Sequence, residues 1–195
     1  MRIGTLALRA TIGPLFIGHG TQKLFGWFGG HGLEGTGGFF ESLGMRPGKR
    51  HAAAGGVAET LGGVLLVLGA ATPVAATLLS STMITAIRKV HAPHGPWVTE
   101  NGYEYNLVLI AAMASLVDHG PGQPSVDAQL FPNWHGRGWA LAMLGAATAG
   151  SFLVDAFSEP APEDTASAGD PDVTAAAAEE ARFHQEAVER GSSPS

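Results

Sequence analysis

The chain has 195 residues and a mass of 20.0 kDa, the length of one domain, and is 45% hydrophobic but only 14% charged, where soluble domains carry about 25% charge. The charge is polarised: residues 155–195 hold ten acids against Arg182 and Arg190, while residues 1–154 hold seven acids and nine bases, a net of +2. No basic stripe is present, which argues against nucleic acid as a partner, and zero cysteines exclude disulfides, thiol redox chemistry, Cys-ligated iron–sulfur clusters and covalent c-type haem.

The first apolar run covers residues 3–25. It is too long for the apolar core of a cleavable signal peptide, so none is expected. The next runs cover 52–71, 73–87 and 105–117. A spanning helix needs about 20 residues, so the first two runs have the length, and the third and fourth need their flanks to reach across. Thr72 and Pro73 predict a helix start immediately after run two, hence a tight hairpin near residues 69–73. Long connections, 26–51 and 88–104, lie at the opposite end and carry Trp27, Phe28, Phe39, Phe40 and Trp97, residues suited to a headgroup-level aromatic belt.

A polar break at 118–137 precedes a fifth run at 138–154, which is a candidate span or an interfacial helix. Residues 155–195 are rich in Pro, Ala, Ser and acid and are expected to be disordered, with a short helix at 173–190 capped by Asp172. The predicted fold class is all-α: an integral membrane four-helix bundle over 1–127, a break with a candidate fifth span over 128–154, and an acidic tail over 155–195.

Run one carries Arg9, Ile12, Phe16, His19 and Lys23 at alternating steps of three and four, which places them on one helix face. Charge within a span is costly and faces protein or water, so this stripe is expected to face the bundle. Run two holds one acid, Glu59, among Gly55, Gly56, Gly62 and Gly63. At 1.5 Å per residue, Glu59 lies about 12 Å below its end of run two, with His19 about 9 Å and Lys23 about 3 Å below the same end of run one. Antiparallel packing then brings acid and bases to similar depth, predicting a Glu59 pair with His19 or Lys23. Arg88, Lys89, His91, His94, Glu100, Tyr103, Glu104 and Tyr105 cluster at that same end. Its excess of Lys and Arg predicts that this face is cytoplasmic, by the positive-inside rule.

Each of these residues also has a plain structural role open to it: snorkelling, helix-end capping or interfacial anchoring. The Gly-rich stretch after residue 25 lacks the phosphate-loop signature and a preceding strand, which argues against a nucleotide. His19, Glu59 and His91 lack the local spacing of a metal motif, and no metal site is expected.

HGTQKLFGWFGGHGLEGTGGFFESLG (19–44), AETLGGVLLVLG (58–69), VHAPHGPWVTENGYEYNLVL (90–109) and GPGQPSVD (120–127) resemble the DoxX family in content and order. The resemblance implies a multi-pass four-span bundle in a bacterial or archaeal plasma membrane. Because the family takes its name from a subunit of an archaeal thiosulfate:quinone oxidoreductase, it also implies a quinone and a soluble or membrane redox partner. The residues matching the family pattern include His19, Lys23, Glu59, His91, Tyr103 and Glu104, which make up the expected pocket and proton relay. The fifth run and the tail depart from that pattern. The competing reading is a non-enzymatic membrane component: a carrier of small solutes or lipids, or a scaffold for a redox partner. Self-association is compatible with both.

Overall fold

The computed structural model describes residues 3–160. Among them the chain is helical, without strands. The helices are α1 (Ile3–Phe25), α2 (Gly32–Ser42), α3 (Gly48–Leu68), α4 (Thr72–Ala86), α5 (Glu104–His119), α6 (Val126–Leu130) and α7 (Arg137–Ala156). The expected helix at 173–190 and most of the acidic tail lie outside the described residues.

Two glycine pairs set the closest approach in the bundle. Gly13 and Gly20 on α1, like Gly56 and Gly63 on α3, are seven residues apart and so share a face. A Cβ on Gly63 would sit 2.6 Å from the Gly13 carbonyl oxygen, and one on Gly20 would sit 2.6 Å from that of Gly56. The pairing 13 with 63 and 20 with 56 is antiparallel, and it fixes the relative depth of the side chains on both helices. Small residues allow backbones to approach this closely where lipid offers no hydrophobic drive between helices.

Gly69 ends α3. It takes a left-handed conformation (φ 61°), and the N–H groups of Gly69 and Ala70 donate back to the carbonyls of Leu66 and Leu65. α4 follows at once. Its free N-terminal N–H groups are not capped by Thr72, whose hydroxyl is buried without a partner. Asp127, more than fifty residues away, does this instead: its two carboxylate oxygens accept from the N–H groups of Ala71 and Thr72, both at 2.7 Å. Beside it, buried Arg9 donates to the carbonyls of Leu66 (3.0 Å), Val67 (2.8 Å), Pro121 (3.0 Å) and Pro124 (2.8 Å). Arg9 thus satisfies the Val67 carbonyl at the end of α3, shares that of Leu66 with the Gly69 N–H, and ties the α5–α6 loop to them. The arginine belongs to the hairpin end of the bundle, away from the other charges of its stripe.

Three features depart from the sequence reading. Residues 32–42, read as connection, form α2, which packs on α3 and is tied to its start by Glu41, whose carboxylate accepts from the Gly48 N–H at 3.0 Å. At the far end of α4, Ile87–His91 form a wide π turn. The fifth run, read as a candidate span or an interfacial helix, forms α7 and packs on α4 and α5, in keeping with that reading. Residues 155–160, assigned to the tail, complete α7 and continue beside α3: the Glu159 N–H donates to the Arg46 carbonyl at 2.8 Å, and Ser158 Oγ lies 3.3 Å from His51 Nε2.

The core runs through Leu66, Leu79, Met113, Leu116, Met143 and Ala147. Outward-facing positions are also apolar, including Leu61, Val64, Val67, Val108, Leu141, Phe152 and Leu153. Water-soluble monomers rarely carry so extended an apolar exterior. α3 and α7 are long and apolar enough to cross a membrane by length and composition. α1 has the length but not the sustained hydropathy, and α4 and α5, at 15 and 16 residues, are short. The fifth run, a candidate span in the sequence reading, is therefore one of the two helices that meet both criteria.

Candidate functional site

α1 and α3 on one side, and α4 and α5 on the other, separate toward the end opposite the hairpin. Between them lies a cavity of about 620 Å³. Its wall is mostly apolar, with Ile12, Leu15 and Phe16 from α1, Phe39 and Phe40 from α2, Ala54 and Ala58 from α3, Leu78 and Met83 from α4, and Leu109 from α5. The polar groups on it are few: His19, Lys23, His51, Glu59, Lys89, His91, Asn101, Asn106 and some hydroxyls. Small-molecule sites commonly combine such a lining with volumes of about 300–1,000 Å³.

Glu59 is the most buried of the charged groups on the cavity wall. Its Oε2 lies 2.5 Å from Lys23 Nζ, and its side chain is 5% exposed against 24% for Lys23. The glycines on α3 make this possible. With α1 drawn against Gly56 and Gly63, the lysine four residues beyond His19 comes level with Glu59 and reaches across. Lys23 Nζ also reaches the His19 carbonyl at 3.4 Å. The carboxylate is therefore taken from water but not left alone, which is the condition for burying a charge.

Two histidines on the wall have their tautomers set by neighbours. The Gln22 amide donates to the Phe28 carbonyl at 3.3 Å, so its oxygen accepts from His19 Nδ1–H at 3.1 Å. His91 Nδ1–H donates to the Asn101 carbonyl at 2.7 Å. In the neutral form each ring then keeps Nε2 as a hydrogen-bond acceptor. Asn106 is buried at the start of α5, its amide donating to Met83 Sδ at 3.4 Å.

Of the six residues expected at the site, the structure brings four to the cavity: His19, Lys23, Glu59 and His91. Tyr103 and Glu104 do not line it. Glu104 Oε2 accepts from the Val98 N–H at 3.0 Å, and the Tyr103 N–H donates to the Gly95 carbonyl at 3.2 Å. They fasten the loop that supplies Val98, Asn101 and Gly102 to the rim, and so act one layer back. Asn106, His51 and Lys89 were not singled out for the pocket. Asn106 carried a signal, being the one amide in an otherwise apolar run; His51 and Lys89 read only as ordinary polar residues at helix ends. Among the described residues no group of three or more His, Asp or Glu is placed to hold a metal ion, so His19, Glu59 and His91 share a cavity without forming a ligand set.

The DoxX family model matches residues 4–92, the segment that carries His19, Lys23, Glu59 and His91. A Bacillus subtilis (strain 168) protein named "Putative oxidoreductase CatD" is 34% identical over 114 residues, which cover 58% of this chain and 78% of that one. No solved structure gives a significant match. With its helical bundle, its apolar exterior and these matches, the chain belongs to the DoxX family of membrane proteins.

Proposed function

We propose that the chain is a multi-pass subunit of a quinone-linked redox system in a bacterial plasma membrane, working with a partner protein that delivers electrons. The observation that carries this reading is the apolar cavity of about 620 Å³ with a buried Lys23–Glu59 pair on its wall. Both cations on the wall are matched, Lys23 by Glu59 and Lys89 by Asp155, so the cavity suits a neutral headgroup. A neutral ring with two carbonyl oxygens fits that lining better than an anion would. The relative named as an oxidoreductase supports the redox class.

When bound, a quinone supplies a two-electron, two-proton couple. The chain's own residues supply the rest. Lys23 Nζ–H and the Asn106 amide are donors suited to carbonyl oxygens. His19 Nε2 and His91 Nε2 are acceptors suited to hydroxyls. Glu59, hydrogen-bonded to Lys23, is placed to exchange a proton with it as charge on the headgroup changes. The apolar wall excludes water, which strengthens each of these interactions. Since the sequence has no cysteine to carry a thiol or iron–sulfur redox centre, electrons are expected from a partner.

Organic extraction of protein purified in detergent, followed by chromatography, tests the reading. Recovery of a quinone, with a change in its absorbance on adding a reduced donor fraction, is the expected result. Recovery of another lipid with no redox change would return the chain to the carrier or scaffold class.

A further inference from the structure

A second charged cluster joins α4 to α7. At the π turn, Arg88 and Lys89 sit side by side against the last turn of α7, where Asp155 meets both. π bulges recur at functional sites because they re-aim side chains that a regular helix would place elsewhere. Arg88 is also held by Ser151, donating to its carbonyl at 2.8 Å and its hydroxyl at 3.0 Å, and by the Phe152 ring, whose centroid lies 3.8 Å away. Lys89 differs. It lines the cavity, and Asp155 Oδ1, 2.5 Å from its Nζ, is its one ion-pair partner among the described residues.

We propose that Asp155 is a specificity-determining positioning residue: it pins Lys89 to the cavity wall and cancels its charge, so that the site takes a neutral headgroup and refuses a carboxylate-headed amphiphile such as a fatty acid. This rests on reading the cavity as a quinone site, and it makes α7, which lies beyond the family match at residues 4–92, a working part of that site. Without Asp155, Lys89 becomes an unpaired ammonium beside an apolar cleft. A fatty acid would then supply the missing charge with its head and fill the cleft with its chain. The attraction is stronger there than in water, because apolar walls screen it poorly.

The test uses the full chain in detergent or nanodiscs, with menadione as neutral probe and dodecanoate as carboxylate probe. D155N is expected to bind dodecanoate about tenfold more tightly than the wild type and menadione within about threefold of it. D155E restores the wild-type preference, and adding K89Q to D155N abolishes the gain. If D155N loses its monodisperse elution, K89Q alone decides, since it leaves Arg88 on Asp155. Less than about a twofold change in dodecanoate binding means that the lysine is already neutralised, whereas a tenfold loss overturns the proposal. If menadione binds and dodecanoate does not respond to D155N, the selector is overturned and the quinone reading stands. If menadione binds no form while D155N gains dodecanoate, the selector stands and the quinone reading falls.

Discussion

At the hairpin end, Arg9 gives all its bonds to main-chain carbonyls and Asp127 takes its bonds from main-chain N–H groups. At the opposite end, Lys23 and Lys89 each meet a carboxylate beside a cavity, and two histidines keep a nitrogen unengaged. Both ends bury charge, but on different terms. A side chain wholly occupied with backbone has no capacity left for a ligand, so its value is architectural. Side chains that satisfy one another next to a void can exchange partners, and this is what chemistry requires. Where a buried charge finds its partners is therefore a better guide to its role than the burial itself.

Four substitutions probe this contrast. The largest loss of stability is expected from R9M, which strands several carbonyls at once. It should cost at least about 3 kcal/mol in chemical denaturation, and an unchanged midpoint would break the architectural assignment. E59Q comes next and acts on activity. It should fold, shift the thermal midpoint little, and lower the proposed quinone-linked turnover about a hundredfold or more if Glu59 is the proton-exchanging group proposed above. Equal turnover in E59Q and wild type would move Glu59 to the architectural class. D127A uncaps α4 and should cost about 2 kcal/mol while leaving menadione affinity unchanged, and a fall in affinity would mean the two ends are coupled. The smallest effect belongs to E104Q. As a rim residue set back from the cavity, it should change stability by less than about 0.5 kcal/mol and leave binding as it was.

Much of the bundle was legible because apolar runs mark helices whatever they pack against. The depth of Glu59 was legible too, since helix rise converts residue number into distance once two helices run antiparallel. That arithmetic left His19 and Lys23 both open as partners and put His19 nearer in depth; it is the reach of the lysine side chain that makes Lys23 the partner. What escaped was settled by contacts distant in sequence. Nothing near Arg9 or Asp127 announces carbonyls at 66 and 124 or N–H groups at 71 and 72. α2 was hidden because its run of glycines reads as loop until Phe39 and Phe40 have a cavity to cover. The fifth run was legible as a span or an interfacial helix, but its neighbours were not: that it packs on α4 and α5, with Arg88 and Lys89 meeting Asp155 at its end, is a matter of distant contacts. Tyr103 and Glu104 were misplaced because proximity to a helix start says nothing about which way the loop before it folds.

The π turn at Ile87–His91 also carries a message about azimuth. One residue advances an α-helix by about 100°, so removing one from this turn to restore regular winding would swing everything after it by about that angle. His91 would leave the void, and the rim loop fastened to its ring through Asn101 would lose its moorings. A deletion there would therefore rewire a whole mouth without replacing a single contacting side chain, and this makes length, more than composition, the guarded property of that segment.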